Sequence, residues 1–171
     1  MSNKRLMIFI DGSNVYRESK RYFGDDYQVD YLKLIEQLRG DFDLIRTYFY
    51  GSTKIGDDSF YESLQYKGIK TTKKPLKRRG NSHIEKGVDV ALATDVLSLG
   101  FRSAYDVAFI VSGDGDFISV IELIQWLGKI VHVSFFENSM AKTLKLMADS
   151  VVYLDGWQEK IRFEGASTEN E

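Results

Sequence analysis

The feature that most constrains this chain is the alternation of short apolar runs with longer segments of helical spacing. The runs at Leu6–Ile10, Val107–Val111 and Ile130–Phe135 are continuously apolar, which is typical of strands covered on both faces. Strands that alternate with helices of ten or more residues indicate βαβ units around a parallel sheet. We therefore expect an α/β fold, a three-layer α/β/α sandwich with a mostly parallel central sheet.

The same pattern predicts where each element lies. The predicted strands are Leu6–Ile10, Leu44–Tyr50, Ile69–Thr72, Val107–Val111, Ile130–Phe135 and Val151–Leu154. The predicted helices run from a cap at Ser13 or Asn14 to Tyr22, from Asp30 to Gly40, and over Asp57–Lys67, Glu85–Leu99, Asp114–Leu127 and Met140–Ala148. In such folds, ligands bind beyond the carboxyl ends of the strands, where the strand order reverses.

Composition excludes several classes of protein. The chain has 171 residues, of which 43% are hydrophobic, enough for one domain that needs no disulfide or structural metal to fold. It has no Cys, which excludes a disulfide scaffold and a thiolate zinc site, and only two His, His83 and His132. No apolar run reaches membrane-spanning length and no signal-peptide pattern is present, so we expect a cytoplasmic protein without membrane contact.

Positive charge is concentrated in one segment, Lys67–Lys86, the basic strip. It carries eight Lys or Arg residues and one acid, a net charge of +7, so the other residues carry −9 of the chain's total of −2. Such a strip on an acidic body predicts a polyanion-binding surface, and a solvated loop around Pro75 is the alternative. The cations that we expect to contact nucleic acid are Lys73, Lys74, Lys77, Arg78, Arg79 and Lys86.

Acidic turns follow two of the predicted strands. Asp11 comes directly after the first strand, and Asp114 and Asp116 follow the strand Val107–Val111. Because parallel strands end at the same edge of a sheet, these acids are expected to converge there. For Asp114 and Asp116 an alternative is capping of the next helix, where negative charge is favoured.

A further acid lies on the predicted helix Glu85–Leu99. At 100° per residue, Asp89 falls about 20° beyond Val96 inside a mostly apolar face, so we expect it to be paired or to bind a cation. Stabilisation by the helix dipole in the first turn is the alternative. Asp95 lies at the opposite border of that face, and we interpret it as a buried, hydrogen-bonding acid.

Convergence of these carboxylates would require a counterion. Two carboxylates about 4 Å apart repel by about 4 kcal/mol at an effective dielectric near 20. Because only oxygen ligands are at hand, the cation that this set favours is Mg²⁺ or Mn²⁺, which suits phosphodiester chemistry through an activated water.

Three motifs in this order resemble the NYN domains of the PIN-like superfamily, and among them the LabA-like group. They are FIDGSN at Phe9–Asn14, KGVDVALATD at Lys86–Asp95 and VSGDGDF at Val111–Phe117. The resemblance covers about residues 5–155. It implies a Rossmann-like domain over residues 1–155 and a short extension over residues 156–171, which we expect to be partly disordered.

The resemblance also implies a function and a set of site residues. It implies a Mg²⁺- or Mn²⁺-dependent ribonuclease acting on RNA that we expect to be single-stranded, and the choice between endonuclease and exonuclease action stays open. Asp11, Asp89, Asp114 and Asp116 match the metal-binding and catalytic acids, Asn14 a supporting catalytic residue, Ser112 a small residue that lines the pocket and contacts the nucleic acid, and Asp95 a further acid of unassigned role.

Other functions stay open at this point. A non-catalytic RNA-binding or adaptor module would keep the fold and use the acids to hold a structural cation. A receiver-like domain would need a Lys after a late strand, whereas Lys129 precedes its strand, and no G-x-G-x-x-G motif supports dinucleotide binding. A homodimer would extend a nucleic-acid path, but no sequence feature requires one.

Overall fold

The computed structural model describes residues 4–79, 82–84 and 87–165, while the side chains of residues 78–79 and 82–84 lie outside the described part. The strands are β1 (Arg5–Asp11), β2 (Asp43–Ser52), β3 (Lys70–Lys74), β4 (Lys77–Arg79), β5 (Ser82–Ile84), β6 (Val107–Val111), β7 (Ile130–Phe135) and β8 (Ser150–Tyr153). The helices are α1 (Gly12–Phe23), α2 (Tyr31–Arg39), α3 (Asp58–Tyr66), α4 (Val88–Phe101), α5 (Ile118–Trp126) and α6 (Lys142–Met147), with short 3₁₀ turns at Gly115–Phe117, Glu137–Ser139 and Asp155–Trp157.

The central sheet has six strands in the order β3-β2-β1-β6-β7-β8, and all of its neighbouring pairs are parallel. The residues Leu6–Ile10 and Val107–Val111 of the two middle strands are all buried, which requires cover on both faces. Helices α1 and α4 both pack on β1 and β2, and α5 packs on β7. The expected three-layer α/β/α architecture is confirmed.

The strand order reverses between β1 and β6. From β1 the chain moves outward through β2 to β3, then returns to β6 beside β1 and moves outward again through β7 to β8. Residues Ile10 and Val111 are partners in the register of this central pair. The carboxyl ends of β1 and β6 therefore flank the crevice where open α/β sheets bind their ligands.

Several element boundaries differ from the prediction. Asp11, rather than Ser13 or Asn14, caps α1, because that helix begins at Gly12. Helix α4 continues through Gly100 to Phe101, and the segment after Asp114 opens with a 3₁₀ turn before α5. Asp30 and Asp57 cap α2 and α3 near the predicted starts.

The basic strip differs most from the loop alternative. Lys70–Lys74 form the edge strand β3, and Lys77–Arg79 pair with Ser82–Ile84 in a separate antiparallel hairpin. Pro75 lies between β3 and the hairpin, where no sheet hydrogen bond from its nitrogen is needed.

The C-terminal segment returns to the helical layer. Ile161 is fully buried, Arg162 forms an antiparallel bridge with Val29, and the Phe163 N–H donates to the Gln28 carbonyl at 2.9 Å. Residues 166–171 of the predicted extension 156–171 lie outside the described residues. No helix in the described part of the chain combines the length and apolarity needed to cross a membrane.

The amino ends of β1 and β6 are joined by an ion pair that should make stability depend on pH. Arg5 binds Asp106 at 2.7 Å, and its hydrogen bonds lower the pKa of Asp106 from 3.8 to about 2. A depressed carboxyl pKa stabilises the fold above its unfolded value, and the contribution disappears as the pH falls through the folded value. We expect Asp106→Asn to lower the free energy of unfolding at pH 7 but not near pH 2, as measured by denaturant titration.

The control is Asp41→Asn, which removes one charge from an exposed turn. An equal loss of stability for Asp106→Asn at both pH values would contradict the role given to the ion pair.

Candidate functional site

A cavity of about 490 Å³ opens at the carboxyl ends of β1 and β6, and we call it the strand-end pocket. Three carboxylates and three cations line it, together with small, amide and apolar groups. The lining residues are Asp11, Ser13, Asn14, Tyr16, Arg17, Lys20, Lys54, Ile55, Leu76, Gly87, Val88, Asp89 and Asp114. The predicted acids Asp11, Asp89 and Asp114 are thus brought together with Asn14, at the predicted edge of the sheet.

Asp11 is held at the bottom of the strand-end pocket. It is the last residue of β1 and only 7% exposed. Its Oδ1 accepts a hydrogen bond from the Asn14 N–H at 3.0 Å, and its Oδ2 accepts one from the Ser112 hydroxyl at 3.1 Å. Gly12 allows this tight start of α1, because a Cβ there would lie 2.2 Å from the ring of Phe49.

Ser112 is the centre of a hydrogen-bond network beneath the pocket. Its hydroxyl donates to Asp11 and accepts from the Asn14 side-chain amide at 3.1 Å and from the Asp114 N–H at 3.2 Å. One donor and two acceptor sites are the full capacity of a serine hydroxyl. The expected contact between Ser112 and nucleic acid is wrong for this structure: the side chain is fully buried and supports the acids from below.

Asn14 and Arg17 extend that network along α1. The Asn14 amide nitrogen is used by Ser112, so its oxygen is free to accept from Arg17 Nη2 at 2.9 Å. Arg17 also forms a hydrogen bond with Glu18. Burial raises the pKa of Glu18, but hydrogen bonds from Ser139 and Arg17 lower it by more, so the net shift of its pKa is downward. The buried Glu18 is therefore charged, and it helps to hold the Arg17 guanidinium beside the pocket.

The two acids after β6 play different parts. Asp114 lines the strand-end pocket, and its Oδ1 accepts from the Asp116 N–H at 2.9 Å, so it also has the capping role left open by the sequence. Asp116 is exposed and does not line the pocket. Asp116 lies within the 3₁₀ turn that follows Asp114, and the structure does not place it among the acids that line the pocket.

Asp89 reaches the pocket from the first turn of α4, but it is exposed rather than buried. The buried stripe of α4 includes Val88, Leu92 and Val96, and Val88 and Asp89 in its first turn line the cavity. The expected burial of Asp89 is thus wrong, whereas its place beside Asp11 agrees with the motif. Gly87 has φ +85°, a left-handed conformation that favours glycine, where the chain enters α4.

Asp95 anchors the same helix to the sheet. The hydroxyl of the fully buried Tyr50 on β2 donates to Asp95 Oδ2 at 2.7 Å. Burial and this bond raise the pKa of the Tyr50 hydroxyl. Asp95 is half-buried and hydrogen-bonded, as the structural interpretation expected, and it lies two helical turns from Asp89.

The basic strip lies next to the pocket without its described cations entering it. Lys73 forms an ion pair with Asp58 and lies over the ring of Tyr61. Among the described residues of the strip, Leu76 lines the pocket. Lys74 is half-buried on β3 and Lys77 is exposed on β4. The side chains of Arg78 and Arg79, and the whole of Lys86, lie outside the described residues.

The sequence analysis did not identify the cations that line the pocket or the hydroxyl of Ser13. The cations are Arg17, Lys20 and Lys54. Arg17 follows Asn14 by three residues and Ser13 by four, and Lys20 follows Arg17 by three, which places these side chains on one helix face. That spacing from the DGSN motif was an available signal. Lys54, in the turn after β2, had no comparable signal because its position depends on how β2 packs beside β1.

The number and type of charged side chains in the strand-end pocket determine which metal ion it can hold. Among the described residues, three lining cations face three lining acids, and no group of three His, Asp or Glu side chains lies close enough together to hold an ion directly. The donors are nevertheless all oxygen atoms, the type that Mg²⁺ accepts while keeping several of its own waters. The residues therefore fit a hydrated Mg²⁺ or Mn²⁺ ion rather than a fully protein-ligated one.

Comparison with known proteins decides the family, because the NYN domain matches residues 5–155 of this chain. The chain belongs to the NYN domain family. The match covers the strand-end pocket and all three motifs. As an NYN domain, the chain has a relationship to nucleases that agrees with the site at the switch point of its sheet.

Two relatives extend this NYN assignment. The chain is 27% identical over 161 residues to the Low amplitude and bright protein LabA of Synechococcus elongatus, covering 88% of this chain and 84% of that protein. A crystal structure of a protein of unknown function from Vibrio parahaemolyticus has 24% identity and a TM-score of 0.77, covering 94% of this chain and 97% of the other. The latter supports the NYN-type fold alone.

The Ser112 network predicts a measurable contribution to the stability of this NYN domain. Ser112→Ala removes the buried hydroxyl that donates to Asp11 and accepts from the Asn14 amide, and the loss of such buried hydrogen bonds costs about 1–3 kcal/mol of unfolding free energy. Ser134→Ala is the matched control, because its hydroxyl on β7 is also buried but has no hydrogen-bond partner among the described residues. Urea unfolding of both variants checks this, and equal losses would contradict the role of the network.

Proposed function

We propose that this NYN domain is a metal-dependent ribonuclease that hydrolyses RNA phosphodiester bonds in the strand-end pocket. The observation that carries the proposal is the convergence of Asp11, Asp89 and Asp114 on one cavity that three cations also line. Acids suit a divalent ion, and cations suit the phosphate on which it would act. Membership of the NYN family supports the same conclusion.

In this proposal the three pocket acids hold one or two Mg²⁺ or Mn²⁺ ions through direct and water-mediated contacts, and Asp116 contributes through water. When bound, such an ion supplies an acidified water as the nucleophile and offsets charge on the leaving oxygen. Asp11 is oriented for this role by Asn14 and Ser112, which fix both of its oxygens. Arg17, Lys20 and Lys54 bind the non-bridging oxygens of the phosphate.

Ser13 adds an independent reason to expect a ligand. It lines the strand-end pocket, and its hydroxyl is buried without a hydrogen-bond partner in the described structure. An unsatisfied buried hydroxyl costs free energy, which a ligand oxygen at the pocket would relieve. We assign Ser13 the role of a hydrogen-bond donor to the phosphate or to a metal-bound water.

The path of the RNA completes the proposal. The edge strand β3 ends beside the end of β2, at the carboxyl edge of the sheet, and the hairpin β4–β5 follows it in the chain. The basic strip can therefore guide a strand of RNA toward the pocket. A single-stranded substrate, internal cleavage and a cytoplasmic location belong to this proposal, as does a homodimer that lengthens the path.

A non-catalytic RNA-binding or adaptor module is the second candidate function. The observation that favours it is the charge balance of the pocket together with the absence, among the described residues, of three metal-binding side chains at ligand distance. This candidate predicts that the protein binds RNA but does not cut it with either metal.

Cleavage of a labelled single-stranded RNA tests the proposal. We expect cutting with Mn²⁺ or Mg²⁺ and none with EDTA. Asp11→Asn and Asp114→Asn should reduce cutting to the EDTA level, because each removes a carboxylate from the pocket. Asp116→Asn should reduce cutting less, because Asp116 does not line the pocket. Gel analysis of the products gives the rates.

Asp41→Asn, at the opposite edge of the sheet, is the matched control and should cut as the wild type does. Cutting that survives both Asp11→Asn and Asp114→Asn would reject the strand-end pocket as the site. RNA binding without any cutting by the wild type would favour the adaptor module.

Salt dependence tests the cations of the pocket. A single-stranded phosphate contact contributes about −0.7 to the slope of log K against log salt concentration, so Lys54→Gln should make the slope shallower by about that amount. Lys129→Gln is the control, because Lys129 lies just before β7 at the opposite edge of the sheet. Binding is measured by fluorescence anisotropy in EDTA, and equal slopes for both variants and the wild type would contradict a phosphate contact at Lys54.

A further inference from the structure

A second cavity of about 660 Å³ lies beside the strand-end pocket, and we call it the aromatic groove. It lies between α1, the start of α2, the loop before α3 and the C-terminal segment. Five aromatic rings line it, those of Tyr16, Tyr27, Tyr31, Phe60 and Phe163. Its volume falls within the range of about 300–1,000 Å³ that is usual for small-molecule sites.

The aromatic groove is continuous with the strand-end pocket. Tyr16, Lys20 and Ile55 line both cavities. The Lys20 ammonium lies 5.1 Å from the centre of the Tyr16 ring, so a cation and a ring are offered together at the junction. A ligand that extends out of the pocket past Lys20 therefore enters the groove next to an aromatic face.

The acids of the groove are already used by the fold. Asp30 accepts from the N–H groups of the first turn of α2, and Asp57 does the same for α3. Their oxygens satisfy helix ends, which makes the groove a poor site for a cation. What it presents instead is aromatic surface, with the cations Lys20 and Lys67 also in its lining.

Phe163 is the ring best placed to meet a ligand. Its side chain is 45% exposed, and no ring contact is found for it among the described residues. Its backbone is fixed, because its N–H donates to the Gln28 carbonyl and the preceding Arg162 bridges to Val29. An exposed ring on a fixed backbone loses little conformational freedom when a flat ligand stacks on it.

From this arrangement we infer that the aromatic groove binds an unpaired base of the RNA, next to the phosphate held in the strand-end pocket. The inference rests on the proposed function for the identity of the ligand. Rings joined to a cation-lined path are the pattern by which proteins hold single strands, since every base has a face that can stack. A base inside a duplex cannot reach the groove, so the site selects single-stranded RNA.

The test couples one ring to one base. Binding of a labelled single-stranded RNA is measured in EDTA, with the full chain as wild type and as Phe163→Leu. The same is done with strands in which one nucleotide at a time lacks its base. We expect Phe163→Leu to raise the Kd about fivefold or more, the lower end of what one stacked base contributes. At one position, removal of the base should weaken wild-type binding by a similar factor and Phe163→Leu binding by none.

Phe101→Leu is the matched control, because Phe101 is also an exposed ring but lies at the far end of α4. A comparison of Tyr16→Leu with Tyr16→Phe adds a second ring, and only the loss of the ring should weaken binding. Thermal unfolding of each variant identifies one that is merely destabilised.

The outcomes separate the groove from the nuclease. Coupling between Phe163 and one base supports the base-binding site even if the wild type cuts no RNA, in which case only the nuclease is rejected. Metal-dependent cutting by the wild type, with equal Kd values for Phe163→Leu and wild type on every strand, overturns the base-binding site and leaves the nuclease standing.

Discussion

The Ser112 hydroxyl joins the ends of the two central strands, and the geometry of the site depends on it. It binds the carboxylate of Asp11 at the end of β1, the amide of Asn14 on α1 and the backbone of Asp114 after β6. Neighbouring parallel strands bring these three groups close, but their orientation requires a common partner. The Ser112 hydroxyl uses all of its hydrogen-bonding capacity and thereby fixes the orientation of the Asp11 and Asn14 side chains. The Asn14 amide oxygen in turn positions the Arg17 guanidinium.

The pocket built on this network is mixed in charge rather than purely acidic. Three carboxylates and three cations share one cavity, so their mutual attraction offsets much of the repulsion that acids alone would produce. Such a site is suited to an ion pair from outside, a hydrated divalent cation together with a phosphate.

Much of this was predictable from the sequence, for definite physical reasons. The buried strands read as unbroken apolar runs, and parallel strands deliver their trailing acids to one edge, so the fold and the positions of Asp11 and Asp114 followed directly. The exposure of Asp89 could not be predicted in this way, because a helical wheel treats every turn of a helix as equally covered. The first turn of α4 instead lines the cavity. The roles of Lys54 and Phe163 depend on packing between segments distant in sequence.

The same limit applies to the basic strip. Its charge was evident from the sequence, but the pairing of its strands was not. β3 pairs with the edge of the sheet at β2, and β4 pairs with β5 in a separate hairpin. Lys73 is consequently engaged by Asp58 and Tyr61, while α1 supplies cations nearer to the acids. Net charge along a sequence indicates a polyanion partner, but it does not tell which cations face the site.

The chemistry of the product ends tests the central claim most directly. In the proposed reaction, a water held beside the pocket acids attacks the phosphate without help from the ribose, so the metal-dependent products should have no 2′,3′-cyclic phosphate. The same reaction predicts that a strand with a 2′-deoxy nucleotide at the cleavage position is still cut. Mass spectrometry of the products from both strands gives the answer. Cyclic phosphate ends, or loss of cutting on the 2′-deoxy strand, would contradict hydrolysis in the strand-end pocket.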